Sequence, residues 1–151
     1  YQVTIPELGT VSATVPPIVF LTSNATRDIS DALKRRCLHL YIDYPTAELE
    51  SRVIEARVPG VDERLRTQLV SFVQQVRTVD VKKPPSVSET IDWARTLLLL
   101  HAESLDNALV MDTLNVLLKF EEDVKTIAEE VPAFTKQALA ETAQQSVTET
   151  A

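Results

Sequence analysis

The chain changes character at Tyr44-Pro45-Thr46, and that change constrains its fold more than any other feature. Before it, short apolar runs at 18–21 and 38–42 alternate with polar breaks. After it, apolar residues recur every three or four positions as far as residue 143. A short bounded apolar run reads as a buried strand, and a stripe of period 3.6 reads as an amphipathic helix. The expectation is an α/β portion over 1–44, an all-helical bundle over 46–143 and a flexible, polar, Thr-rich tail over 144–151.

Within the first portion, residues 1–13 alternate apolar and polar around Pro6-Glu7-Leu8-Gly9. That pattern predicts a hairpin pairing 3–5 with 11–13. Pro16-Pro17 marks a break. A strand over 18–22, a helix over 29–36 and a strand over 38–42 follow. The first of these strands is apolar enough to be a central one, covered on both faces. It ends in Thr22-Ser23-Asn24, which delivers a side-chain amide to its C-terminal edge. The helix ends in adjacent cations, Arg35 and Arg36. A polar strand tip and a cation at the end of the next helix are parts of a nucleotide-phosphate site, though not a complete one.

The helical portion carries its own punctuation. Thr46 caps a helix to about Arg57, and Pro59-Gly60 is a turn. Residues 62–77 place apolar groups at 65, 69, 72, 73 and 76. Lys82-Lys-Pro-Pro85 is a rigid connector. Ser86-Val-Ser-Glu89 reads as a capping box ahead of a helix through Ile91, Trp93, Ala94 and Leu97. Trp93 is expected in the core with its N–H paired. Asp106 opens the next helix, and a last one spans about 119–143, broken or kinked at Pro132.

Composition removes several classes. A net charge of −7 and an isoelectric point near 4.8 argue against a nucleic-acid backbone as partner. The single cysteine, Cys37, excludes an internal disulfide, and with His39 and His101 well separated a zinc site is not expected. No apolar run is long enough to span a bilayer, so the expected location is the cytoplasm. The chain holds two glycines, Gly9 and Gly60, and no G-x-x-x-x-G-K-[ST] loop. A phosphate cradle needs several glycines so that backbone N–H groups can approach the oxygens. No apolar strand ends in paired acids suited to magnesium. ATP hydrolysis by this chain alone is therefore not expected.

Asn24 can donate and accept at once, and so could orient a water beside a γ-phosphate; it could equally cap its own turn. Arg35 and Arg36 each offer a planar, permanent cation for a phosphoryl group, although cations at a helix C-terminus are also favoured by the dipole. Arg27 could face a nucleotide or close a loop salt bridge. Cys37 reads as a small buried filler. Asp92 and Arg95 read as a surface pair. The pairs Glu121-Glu122 and Glu129-Glu130 read as solvated faces.

The wording Leu21-Thr-Ser-Asn-Ala-Thr-Arg27 and Asp31-Ala-Leu-Lys-Arg-Arg-Cys37 resembles the second half of an AAA+ ATPase core, and most of all its MoxR-like branch. The resemblance covers roughly residues 1–125. It implies that 1–44 is the C-terminal part of the α/β core, with the hairpin ahead of a sensor 1 strand, and that 46–143 is the helical lid. Asn24 would be sensor 1. Arg36 would be the arginine finger, preferred to Arg35 because a Ser-Arg-Cys ending in clamp-loader relatives places the finger directly before the Cys. Residues 84–95 would be the sensor 2 region. Ser88, Glu89 and Thr90 stand where many relatives carry an arginine, so any lid contact with nucleotide would run through the helix N-terminus.

The resemblance further implies a longer parent, also suggested by a start at Tyr1 without Met. That parent would use ATP and Mg2+, assemble with other AAA+ subunits into a hexameric ring, and remodel a client such as a von Willebrand A-domain protein or an immature metalloenzyme. The chain alone is expected to be inactive and to need no cofactor. Two alternatives stand beside this: a non-catalytic helical protein-interaction module, and a fragment of a clamp-loader-like subunit. In a fragment of such a parent, a central strand lacking its neighbours would drive self-association through 1–44, while 46–143 would fold as a monomeric helical unit.

Overall fold

The computed structural model describes residues 1–23 and 30–148, with the backbone alone over 145–148. The described residues are mostly helical, with one two-stranded antiparallel sheet. The chain divides into two compact units, Tyr1–Ile42 and Asp43–Ala151.

The first unit holds the hairpin of β1 (Gln2–Ile5) and β2 (Gly9–Ser12). Val3 pairs with Val11 and Ile5 with Gly9. Pro6 sits second in a β-turn closed by Leu8 N–H to the Ile5 carbonyl, at 3.1 Å. Gly9 then takes φ 77°, a left-handed conformation that suits glycine. The short helix α1 spans Asp31–Lys34.

The strands expected over 18–22 and 38–42 do not form. Their side chains stand in the open: Phe20 is 89% exposed and Leu38 fully so. A strand satisfies its N–H and C=O groups only through a neighbour, and no described residue of the unit supplies one. The expected helix over 29–36 is reduced to α1 for a related reason. It has no apolar surface to bury against, all of its residues are exposed, and an isolated turn is costly to nucleate.

The second unit is a five-helix bundle: α2 (Ala47–Arg57), α3 (Glu63–Val76), α4 (Val87–Leu99), α5 (Asn107–Leu117) and α6 (Glu121–Thr148). Helix α3 packs against α2, α4 and α6, while α5 packs against α4 and α6. The expected stripe of α3 is buried at Leu65, Leu69, Phe72, Val73 and Val76. Phe72 meets Trp93 of α4 at 5.4 Å between ring centres and Phe134 of α6 at 5.9 Å. Edge and tilted contacts of this kind add about 0.5–1.5 kcal/mol each to the area they bury. The Trp93 indole N–H donates to Thr113 Oγ1 at 2.8 Å, so its polar edge is satisfied inside the core.

Each of the first four bundle helices starts on a side-chain cap. Thr46 accepts from Leu49 N, Asp62 from Arg64 N, Ser86 from Ser88 N and Asp106 from Leu109 N. Such caps stabilise by about 1 kcal/mol each.

The last helix is longer than expected. It runs through Pro132 without a break and continues to Thr148, beyond the boundary at 143. Val131, Thr135, Ala138 and Thr142 are all buried, and α6 packs on α3 along this face. That packing offsets the hydrogen bond that Pro132 removes and holds the helix past residue 143.

Candidate functional site

The expected site residues fall into two groups, one in each unit. Asn24 and Arg27 lie outside the described residues. Arg35 is the C-cap of α1, and Arg36 follows in a turn whose N–H reaches the Leu33 carbonyl at 3.0 Å. Both arginines are exposed, and neither guanidinium bonds to a described residue. They form an adjacent pair of exposed cations. Cys37 beside them is exposed too, which corrects its expectation as a buried filler. The segment 38–42 that follows it is itself open to solvent.

The second group, Ser88, Glu89 and Thr90, occupies the first turn of α4. The Ser88 N–H, the Glu89 carboxylate and the Thr90 hydroxyl are already engaged. Ser88 N–H donates to Ser86 Oγ at 3.2 Å. Glu89 closes the capping box by accepting from the Ser86 N–H at 3.1 Å and from the Ser86 hydroxyl. Lys83 Nζ completes its shell at 2.9 Å. Burial by itself would raise the Glu89 carboxyl, but the hydrogen bonds from Ser86 and Lys83 outweigh it and hold the pKa at about 2. A fixed carboxylate thus sits at the end of the helix where the dipole would otherwise attract an anion. This turn holds itself together, and it fits a phosphate poorly.

Thr90 is buried and leads inward to the most tightly built cluster of the bundle. Its hydroxyl lies 2.9 Å from Glu50 Oε1, on α2. Glu50, which is fully buried, receives a bidentate fork from Arg77, with Nη1 at 2.6 Å and Nη2 at 2.7 Å. Gln74 adds a third donor at 2.8 Å and also reaches the Pro45 carbonyl at 3.1 Å. Arg77 Nε donates to the Pro85 carbonyl at 2.8 Å, and its guanidinium lies 4.7 Å from the centre of the Tyr44 ring. Two unit charges buried together are tolerable when further hydrogen bonds surround them, as Pro85, Thr90 and Gln74 do here. Both groups are taken up in contacts with other side chains and backbone. The pair is a joint between α2, α3, α4 and the segment entering α2.

A second buried carboxylate acts in a similar way. Asp123, near the start of α6, accepts the Lys82 and Lys83 N–H groups at 2.8 and 3.1 Å. It ties the connector after α3 to α6. Among the described residues no group of three His, Cys, Asp or Glu side chains could hold a metal ion, and no helix is long and apolar enough to cross a membrane.

Glu50 and Arg77 were not singled out from the sequence, yet a signal was there. Glu50, Ile54 and Val58 are spaced by four and all are buried, so the glutamate occupies an inward position of its helix. Arg77 stands directly after the apolar stripe that ends at Val76. Opposite charges placed on two inward faces predict a buried pair. No protein-family model, curated protein or solved structure matches this chain.

Proposed function

We propose that this chain is the C-terminal portion of a MoxR-like AAA+ ATPase, in which the first unit completes a nucleotide-binding core and the bundle is the lid. The observation that carries the reading is the state of the first unit. Two apolar segments, 18–21 and 38–42, stand exposed before and after an exposed Arg35–Arg36 pair in the chain. Such segments fit strands of a larger sheet, and the arginines fit a finger that acts on a nucleotide held by a neighbouring subunit. Asn24 would be sensor 1. ATP and Mg2+ would be bound by sequence outside this chain, since no phosphate loop is present in it. The ring, the remodelling of a von Willebrand A-domain or metalloenzyme client and the cytoplasmic setting belong to the same proposal.

The test is to read the coding DNA around this sequence and express the full polypeptide. A phosphate loop upstream, with ATP turnover that Arg36→Ala lowers about 10³-fold or more while nucleotide binding persists, supports the reading. A coding sequence without a phosphate loop overturns it, and a fully active Arg36→Ala with an inactive Arg35→Ala moves the finger to Arg35.

One observation favours a second reading, that of a helical interaction module without nucleotide contact. The first turn of α4 is closed by its own capping box and carries the Glu89 carboxylate. On that reading, calorimetric titration of the full polypeptide with Mg-ATP shows no binding.

A further inference from the structure

The Glu50–Arg77 pair meets two parts of the chain that are far apart in sequence. On one side Thr90, in the first turn of α4, hydrogen-bonds Glu50 at 2.9 Å, and Arg77 holds the Pro85 carbonyl just before that turn. On the other side Gln74 bridges from Glu50 to the Pro45 carbonyl, and Arg77 supports the Tyr44 ring. Residues 43–46 are the stretch by which the chain enters the bundle, directly after the division at Ile42. They make no regular structure. What holds them is the Thr46 cap, Gln74 and Arg77.

We propose that Glu50 and Arg77 form a conformational relay, joining the first turn of α4 to the Tyr44–Pro45 entry segment as one mechanical piece. A change at the α4 turn is felt at the entry segment, and a change at the entry segment is felt at the turn. The carboxylate is the shared element. It has two oxygens and receives Arg77, Gln74 and Thr90 together. Losing one donor lets it rotate or shift, which alters the geometry offered to the others. Coupling through a contiguous hydrogen-bonded network of this kind is reciprocal by thermodynamic necessity. A purely structural ion pair would loosen everything around it without that directed exchange. The relay is a property of the bundle and holds whichever functional reading is correct.

Thr90→Val keeps the shape and deletes the hydroxyl, while Tyr44→Ala removes the ring at the other end. Backbone order parameters from NMR relaxation read both. In Thr90→Val the Tyr44 and Thr46 amides are expected to fall from about 0.85 to below about 0.6, with α5 unchanged. In Tyr44→Ala the Ser88 and Glu89 amides are expected to loosen in the same way. Thr90→Ser, which restores the hydroxyl, should return the entry segment to its original order. Unchanged amides at the far end, or loss spread evenly over the bundle, would overturn the proposal. Tyr44 is partly exposed, so its variant decides the matter alone if Thr90→Val fails to fold.

Discussion

Phe20 and Phe72 are the same side chain in two different circumstances. Phe72 is fully buried between Trp93 and Phe134, whereas Phe20 projects into solvent. The two units that contain them are both rich in apolar residues. What separates them is where their backbone hydrogen bonds must come from. A helix satisfies its own N–H and C=O groups, and needs other helices only to cover one stripe. The bundle has those helices within it. A strand needs a neighbour before it exists at all, and burying its two faces needs further layers. The described residues of the first unit offer neither, beyond a hairpin that pairs with itself.

Denaturant unfolding of variants can break this contrast or sharpen it. The largest effect is expected at the buried pair, where Glu50→Ala leaves the Arg77 charge uncompensated and should lower stability by about 3–5 kcal/mol. Glu50→Met combined with Arg77→Met should recover most of that loss, because neither charge of the pair is then buried. Recovery that fails would mean that the surrounding hydrogen bonds, not the charges, dominate.

The next effect concerns acid. The Glu89 carboxyl titrates at about 2 in the folded chain, below its ordinary 4.5. Its contribution is therefore fully present above about pH 4.5 and is lost as the pH falls from there towards 2. The loss should amount to about 1–3 kcal/mol, and Glu89→Gln should flatten the stability profile across that window.

A smaller change is expected at His101, which takes φ 54° after α4. Its N–H reaches the Leu98 carbonyl and that of Ala102 reaches Leu97, at 3.1 and 3.0 Å. This is a Schellman ending with histidine where glycine is preferred, so His101→Gly should raise stability by about 0.5–1 kcal/mol. The smallest effect is expected in the first unit. Phe20→Ser should shift unfolding by no more than about 0.5 kcal/mol, against several for a polar residue at Phe72. Its consequence should lie elsewhere, in weaker self-association by light scattering. A large loss of stability at Phe20 would show that the first unit has a core of its own.

The bundle was legible because its signals are local. The stripe at 65, 69, 72, 73 and 76, the caps at Thr46 and Ser86 and the buried Trp93 follow from spacing and residue type within a turn or two. The apolar runs at 18–21 and 38–42 suggest strands on the same local grounds, but strand formation depends on partners that spacing cannot supply. Helix α6 extended past its expected end because packing along α3 overrides a proline and a polar tail. Of the site, the capping box was visible as Ser86 and Glu89, but the closure of that turn on itself was not. The role of Thr90 depends on Glu50, forty residues earlier, and no local pattern records that bond.

The division at Ile42 also has a meaning for proteases. These enzymes draw an extended, exposed backbone into their clefts, and tight helices must open first. Lys34, Arg35 and Arg36 stand together outside any packed surface, while Arg77 has its side chain sealed against Glu50. A brief exposure to trypsin should therefore cut the chain in its first unit and leave the helices whole. In a cell, the same geometry would make the survival of residues 1–42 depend on how quickly something comes to lie beside them.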